Sequence, residues 1–176
     1  MIILATLRRY RSFMGWFMIC LMMTSQMGPS LQAATLYWDS DASATDNNAL
    51  TGANLGGTGD WNSSALNWWN PLATLQAWDN SAFDMAVFTG AAGTVTLKAP
   101  MIAGGLTFNR NGYLLTSDVP ASNTLTLTPP TGSASPVITV NNNGLGTNRA
   151  TISALLAGSS GFTKVGNGGE KKTETR

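Results

Sequence analysis

The chain contains no histidine and a single cysteine, Cys20. Without histidine there can be no Ser-His or Cys-His nucleophilic pair and no histidine–cysteine zinc site. Cys20 lies in a leader that we expect to be removed, so the mature chain would carry neither disulfides nor thiolate chemistry. Its stability must therefore come from packing and from hydrogen bonds between strands.

Charged residues are also scarce, at 11% of the 176 residues. Threonine, serine, asparagine and glycine supply most of the polarity, which suits a β structure with small turn residues better than a charged disordered chain. The sequence has no basic patch of the kind that binds nucleic acid. We therefore expect neither a nucleic-acid partner nor a cofactor.

No apolar run is long enough to span a membrane. The segment Phe13–Met23 falls short of the roughly 18 to 20 apolar residues that a spanning helix needs. Three arginines at positions 8, 9 and 11 precede it, and a polar stretch that ends in a small residue follows. This order predicts a signal peptide over residues 1–33, with cleavage after Ala33 or Ala34; a membrane anchor is the alternative. We expect an exported protein that contacts the membrane only through this peptide.

Residues 34–85 are rich in tryptophan, and aspartate, asparagine, glycine and serine separate the indole side chains. Exposed indole faces stack on sugar rings, which makes Trp61, Trp68, Trp69 and Trp78 candidate carbohydrate-binding residues. The alternative is a capping section that buries the open end of a repeat stack. We favour the cap, because clustered tryptophans usually pack against one another.

The aspartates of this section allow two interpretations. Asp39, Asp41 and Asp46 could supply oxygen ligands to calcium, but the loop pattern and the distal glutamate of a calcium-binding loop are missing. The run Gly56–Asp60 partly matches the glycine-rich calcium nonapeptide, without its repetition. Aspartate is common in solvated turns, so we predict turn residues and no metal site.

Residues 86–166 hold short apolar runs in which threonine alternates with larger side chains, the pattern of half-buried strands. Glycine opens three of these runs, at Gly93, Gly104 and Gly112, and permits the positive φ of sharp corners. A β-sandwich or a β-solenoid can show such spacing. The runs resemble one another and lack large, varied aromatics, which favours an all-β parallel β-solenoid of about three or four coils.

The alternation also predicts which side chains face the interior of this section. The predicted inward residues are Val95, Leu97, Leu106, Phe108, Leu114, Leu125, Leu127, Ile138, Val140, Ile152 and Leu155.

Three blocks in this order resemble the autotransporter-associated β-strand repeat proteins of bacterial surfaces. The blocks are Trp38–Trp78, Ala86–Tyr113 and Ile152–Gly168. The resemblance implies a right-handed parallel β-helix in a secreted or surface-displayed passenger, and no catalytic residues. After Gly168, where the family continues with a threonine–leucine strand, this chain has a polar, charged tail over residues 167–176.

The abrupt change at the tail indicates a truncated or frame-shifted reading frame, and a natural disordered tail is the alternative. If the stack ends near Val165, its last coil presents an unpaired edge, which predicts self-association. The expected function is a non-catalytic structural or adhesion-type role at the cell surface or outside the cell. The alternatives are a module that binds extracellular glycans through the tryptophans and, more weakly supported, a solenoid polysaccharide lyase.

Overall fold

The computed structural model describes residues 32–72, 74–141 and 149–172, with side chains up to Gly169. Residues 1–31 of the predicted signal peptide lie outside this range. Within it, we find no helix with the length and apolar character that a membrane span requires.

The alternating apolar and threonine runs form short strands, and strands are the regular elements throughout the described residues. Their bounds are β1 Thr35–Trp38, β2 Gly59–Trp61, β3 Trp68–Trp69, β4 Leu75–Gln76, β5 Met85–Phe88, β6 Thr94–Leu97, β7 Met101–Ala103, β8 Gly105–Phe108, β9 Tyr113–Ser117, β10 Leu125–Leu127, β11 Val137–Val140, β12 Arg149–Ile152, β13 Leu156–Ala157, β14 Thr163–Val165 and β15 Gly169–Lys172.

These strands form three sheets. The seven-stranded sheet has the order β14-β11-β8-β5-β1-β3-β4, the five-stranded sheet β15-β12-β9-β6-β2, and the three-stranded sheet β13-β10-β7. Pairing is parallel except where β3 joins β1 and where β4 joins β3. From β5 onward the chain visits the seven-, five- and three-stranded sheets in turn and then returns to the first. The fold is therefore all-β with mostly parallel sheets, which is compatible with the predicted solenoid.

Each return places like residues above one another. Leu106 on β8 lies in register between Ala86 and Ile138, and Phe108 lies between Phe88 and Val140. The rings of Phe88 and Phe108 are stacked, with centroids 4.9 Å apart and planes 14° from parallel. The core is thus a set of ladders that run across the strands, with the alternating threonines on the outer faces.

Most of the predicted inward residues are buried, and two predictions are wrong. On β9 the buried side chains are Tyr113 and Leu115, while Leu114 is partly exposed. Three consecutive large apolar residues carry no alternation, so the sequence did not define the inward face there. Leu155 is 48% exposed and Ala154 is buried instead, because β12 ends at Ile152 and the chain turns before Leu155.

The structure gives a different reason from the predicted one for two of the three glycines that open the apolar runs. Of the three, only Gly112 has a positive φ, at 94°. A Cβ on Gly93 would lie 2.5 Å from the carbonyl carbon of Gly57, and one on Gly104 would meet the carbonyl oxygen of Phe83. At Gly93 and Gly104, glycine is therefore needed because neighbouring backbones approach closely.

The polar tail also differs from its prediction. Strand β15 lies within it and pairs in parallel with β12. The stack therefore continues past Val165, and residues 169–172 contribute backbone hydrogen bonds in spite of their polar sequence.

Candidate functional site at the tryptophan-rich end

Four indole side chains pack together inside the coil at its N-terminal end. Strands β1, β2 and β3 direct Trp38, Trp61 and Trp68 inward, and Trp78 approaches from the segment after β4. Ring centroids lie 4.9 Å apart for Trp61 and Trp68 and 4.5 Å apart for Trp68 and Trp78. Phe88 of the next coil completes the cluster at 5.8 Å from Trp68. Tilted and edge-on contacts of this kind add to the free energy of apolar burial.

This packing separates the four predicted sugar-contact residues. Trp61, Trp68 and Trp78 are at most 1% exposed, and other rings cover their faces. They do not present the open face that stacking on a sugar requires. Trp69, the next residue along β3, points to the outer side of the sheet and keeps part of its surface accessible.

The outer side of the sheet holds a second aromatic residue beside Trp69. Tyr37 on β1 is the register partner of Trp69, and the two ring centroids are 5.8 Å apart with planes at 58°. Leu75 on β4 lies in register on the other side of Trp69. The predicted site did not include Tyr37, although the alternation Leu36-Tyr37-Trp38 could have placed it on the outer face.

Side chains also occupy the edge of the three-stranded sheet. The backbone N–H of Ile102 on β7 donates to Asn80 Oδ1 at 2.8 Å, and Asn80 Nδ2 donates to the carbonyl of Pro100 at 3.1 Å. Trp78 Nε1 donates to the carbonyl of Ile102 at 2.8 Å. These two residues satisfy the groups that another strand would otherwise bind.

Asp39 is buried beside the loop that follows β1. Its carboxylate accepts hydrogen bonds from Asn47 Nδ2 at 2.6 Å and from the backbone N–H of Asp41 at 3.3 Å. Burial raises the pKa of Asp39 to about 6, although the Asn47 hydrogen bond acts in the opposite direction. An open depression of about 570 Å³ adjoins Asp39 and the glycines Gly56 and Gly57.

The other candidate calcium ligands serve local structure. Asp41 accepts the backbone N–H of Ser43, and Asp60 lies 3.9 Å from Lys98 across the coil. Among the described residues, no three acidic, histidine or cysteine side chains are grouped as metal ligands would be.

Asp84 is the second buried acid. Asp84 directly precedes β5 and is 4% exposed, and its carboxylate accepts a hydrogen bond from the backbone N–H of Ala34 at 2.6 Å. Burial raises the pKa of Asp84, the Ala34 hydrogen bond lowers it, and the negative charge of Asp79 raises it further. No local pattern in the sequence around Asp84 marks it as a buried carboxylate.

One known protein is clearly similar to this chain. The sequence is 40% identical over 147 residues to the adhesin BmaC autotransporter of Brucella suis biovar 1 (strain 1330). The match covers 81% of this chain, which spans about 4% of the length of BmaC. No protein-family model and no solved structure matches. The similarity to BmaC supports the predicted resemblance to autotransporter passengers.

Proposed function

We propose that this chain is part of a surface-displayed, non-catalytic passenger of the adhesin type. The observation that carries the proposal is the 40% identity to an autotransporter adhesin over most of the chain. The fold suits the role, because a stack of coils is extended and presents rows of side chains on its outer faces. The whole relative is far longer, so the adhesive role of this segment is what must be tested.

In this proposal the chain is a parallel β-solenoid and residues 34–85 are its N-terminal cap. The strands of that section begin the stack, since β1 pairs with β5 and β2 pairs with β6. Strands β3 and β4 then cover β1 with antiparallel pairs. The tryptophan cluster fills the end of the interior that a further coil would otherwise cover.

Export and the lack of catalysis belong to the same proposal. The leader over residues 1–33 would direct the chain out of the cytoplasm and be removed there. The mature chain would lack histidine and cysteine, and its described aspartates serve turns, are buried or are paired with Lys98. Activity of the folded chain on a pectin-like polymer would contradict the non-catalytic part.

Adhesion can be tested on the chain itself. Latex beads coated with the folded mature chain should attach to cultured epithelial cells or to extracellular matrix more than beads coated with the heat-denatured chain. The folded state is needed because the outer rows exist only in the stack. Equal attachment by both kinds of bead would contradict the adhesion proposal.

A second candidate, binding of a neutral glycan, is favoured by the Tyr37–Trp69 pair. The row that contains these residues continues through Val87, which is only 5% exposed, and then through Thr107 and Thr139 on the outer side of the seven-stranded sheet. This row is uncharged and carries two aromatic rings near one end. Aromatic faces and hydroxyl groups without charge suit an uncharged sugar polymer.

Affinity electrophoresis through gels that contain xylan, amylose or polygalacturonate tests this candidate. Retardation by a neutral polymer should be lost in Trp69→Ala, whose fold is checked by circular dichroism. It should be kept in Leu72→Ala, because Leu72 is 97% exposed in the adjacent loop and lies off the row. Equal retardation of the two variants, or retardation by polygalacturonate alone, would rule out the neutral-glycan surface.

A further inference from the structure

Asp84 is a buried carboxylate, and no basic side chain of the described residues forms an ion pair with it. Among the described residues the ion pairs within 4.0 Å are those of Lys98 with Asp60 and Asp118, on another sheet. The donor that faces Asp84 Oδ1 is the backbone nitrogen of Ala34, at 2.6 Å. A buried carboxylate that accepts only a neutral amide N–H is poorly compensated, since burial of a charge is costly without an opposite charge.

The nitrogen of Ala34 is also the atom that becomes a free amine if the leader is cut after Ala33. We propose that cleavage of the Ala33–Ala34 bond is the maturation step of this protein, and that the new α-ammonium group of Ala34 forms a buried ion pair with Asp84. The inference rests on the proposed export. It adds a processing site and a reason why the mature fold is more stable than the precursor.

The chemistry of this step is a hydrolysis. An endopeptidase of the export pathway that recognises small residues adds water across the bond. The water oxygen bonds to the carbonyl carbon of Ala33, which leaves as a carboxylate, and both protons of the water end on the nitrogen of Ala34, which becomes the ammonium group. The acceptor at 2.6 Å then receives a charge-assisted hydrogen bond in place of a neutral one, and such bonds are roughly twice as strong.

The structure also distinguishes the two cleavage positions that the sequence allowed. The carbonyl of Ala34 accepts the backbone N–H of Met85 at 2.8 Å, so Ala34 is held at both its nitrogen and its oxygen. Cleavage after Ala34 would remove this residue and leave Asp84 without the donor. A start at Thr35 is therefore disfavoured, because Thr35 pairs with Met85 on the strand and is exposed.

The first test is N-terminal sequencing of the product that an export-competent bacterium makes from the full chain. We expect the sequence to begin Ala34-Thr35-Leu36. A start at Thr35, or an intact Met1, would overturn the proposed site. The sequencing result does not depend on adhesion. The cleavage site can be confirmed even if the coated beads do not attach to cells, and it can be excluded even if they do attach.

The second test measures the ion pair. Two chains are prepared by scarless removal of a fusion partner, one beginning at Ala34 and one at Ala33, each with and without Asp84→Asn. In the chain that begins at Ala33, the nitrogen of Ala34 is an amide and the positive charge lies one residue away. Asp46→Asn is the matched control, because Asp46 is an exposed acid that takes no part in the contact between Ala34 and Asp84.

We expect Asp84→Asn to raise the unfolding equilibrium constant at least about tenfold more in the chain that begins at Ala34, because only that chain loses the ion pair. Asp46→Asn should have the same effect in both chains. If Asp84→Asn prevents folding, the pKa of Asp84 is measured by NMR titration in the two chains without the substitution. The pKa of Asp84 should be lower in the chain that begins at Ala34 than in the chain that begins at Ala33. An equal effect of Asp84→Asn in both chains, or an equal pKa of Asp84, would overturn the ion pair.

Discussion

At the scale of single residues, the notable feature is a pair of buried carboxylates in a chain with little charge. Asp39 and Asp84 are 1% and 4% exposed, and burial raises the pKa of both. Asp39 holds the loop after β1 through Asn47, whose own Oδ1 is buried and has no partner. An asparagine at position 39 could therefore donate a side-chain N–H to Asn47 Oδ1 if the side-chain amide of Asn47 rotated by about half a turn.

We predict that Asp39→Asn stabilises the protein above pH 6 and that the gain disappears below pH 4. The folded-state pKa of Asp39, about 6, lies above its ordinary value of 3.8. Between these values the native state holds a proton that the unfolded state releases, so the free energy of unfolding falls as the pH rises. Above pH 6 the variant should be more stable by about 1 to 3 kcal/mol, measured by urea unfolding.

The control for this prediction is Asp46→Asn, because Asp46 is exposed and its residue type changes in the same way. The Asp46→Asn variant should not show the gain in stability above pH 6. If Asp39→Asn is less stable than the wild type at pH 7, the prediction is contradicted. The ionised carboxylate would then stabilise the loop by more than the cost of burying its charge.

At the scale of elements, the N-terminal end of every sheet has its outer edge at least partly covered. Strands β3 and β4 cover β1, Asn80 and Trp78 cover β7, and Asn67 Nδ2 donates to the carbonyl of Asp60 on β2 at 3.1 Å. Exposed sheet edges pair with other chains, so covering them with side chains and a short hairpin limits aggregation.

We predict that Asn80→Ala lowers the free energy of unfolding by about 1 to 3 kcal/mol, because the N–H of Ile102 and the carbonyl of Pro100 lose their partner. The variant should also associate at lower concentration, since the edge of β7 becomes available. Urea unfolding and light scattering measure the two effects. Asn70→Ala, which removes only a turn hydrogen bond to Leu72, should change neither stability nor association strongly. Unchanged association of Asn80→Ala would contradict the edge-covering role.

The strands also show which parts of the fold could be predicted from the sequence. Strict alternation with threonine located the inward side chains of β6, β8, β10 and β11, because burial on one face imposes a period of two. The alternation was absent at β9, where Leu114 was assigned to the wrong side. The tryptophan cluster and the Ala34–Asp84 contact depend on residues far apart in sequence, and no local pattern encodes which distant strands meet.

At the scale of the whole molecule, the two ends of the stack differ. Within the part of the chain that the structure describes, the C-terminal strands β13, β14 and β15 each pair on one side only. Phe162 and Val165 are 36% and 40% exposed near this end. Lys164 stands in register with the buried Ile138, so a charged residue occupies the row that faces inward in earlier coils. A charge there discourages continued stacking, while the edge hydrogen-bonding groups remain available.

We predict that the mature chain self-associates through this end as its concentration rises. Val165→Lys should reduce the association seen in sedimentation velocity, because lysine on an edge strand opposes pairing. Leu72→Lys provides the control, since Leu72 is exposed in the loop near the covered end and should not affect association. A strictly monomeric wild-type chain at all concentrations would contradict the proposal of an open end.

The central claim is that, from β5 onward, each strand pairs with the strand one full coil away and not with its neighbour in sequence. Residues 34–176 contain no cysteine, so a cysteine pair engineered into this part of the chain can report the pairing directly. Thr107 and Thr139 are register partners on β8 and β11, and neighbouring strands lie about 4.8 Å apart, within the range of a disulfide. Under mild oxidation, Thr107→Cys with Thr139→Cys should cross-link rapidly, and Thr107→Cys with Leu114→Cys should not. Preferential cross-linking of 107 to 114, as a β8–β9 hairpin requires, would contradict the coil.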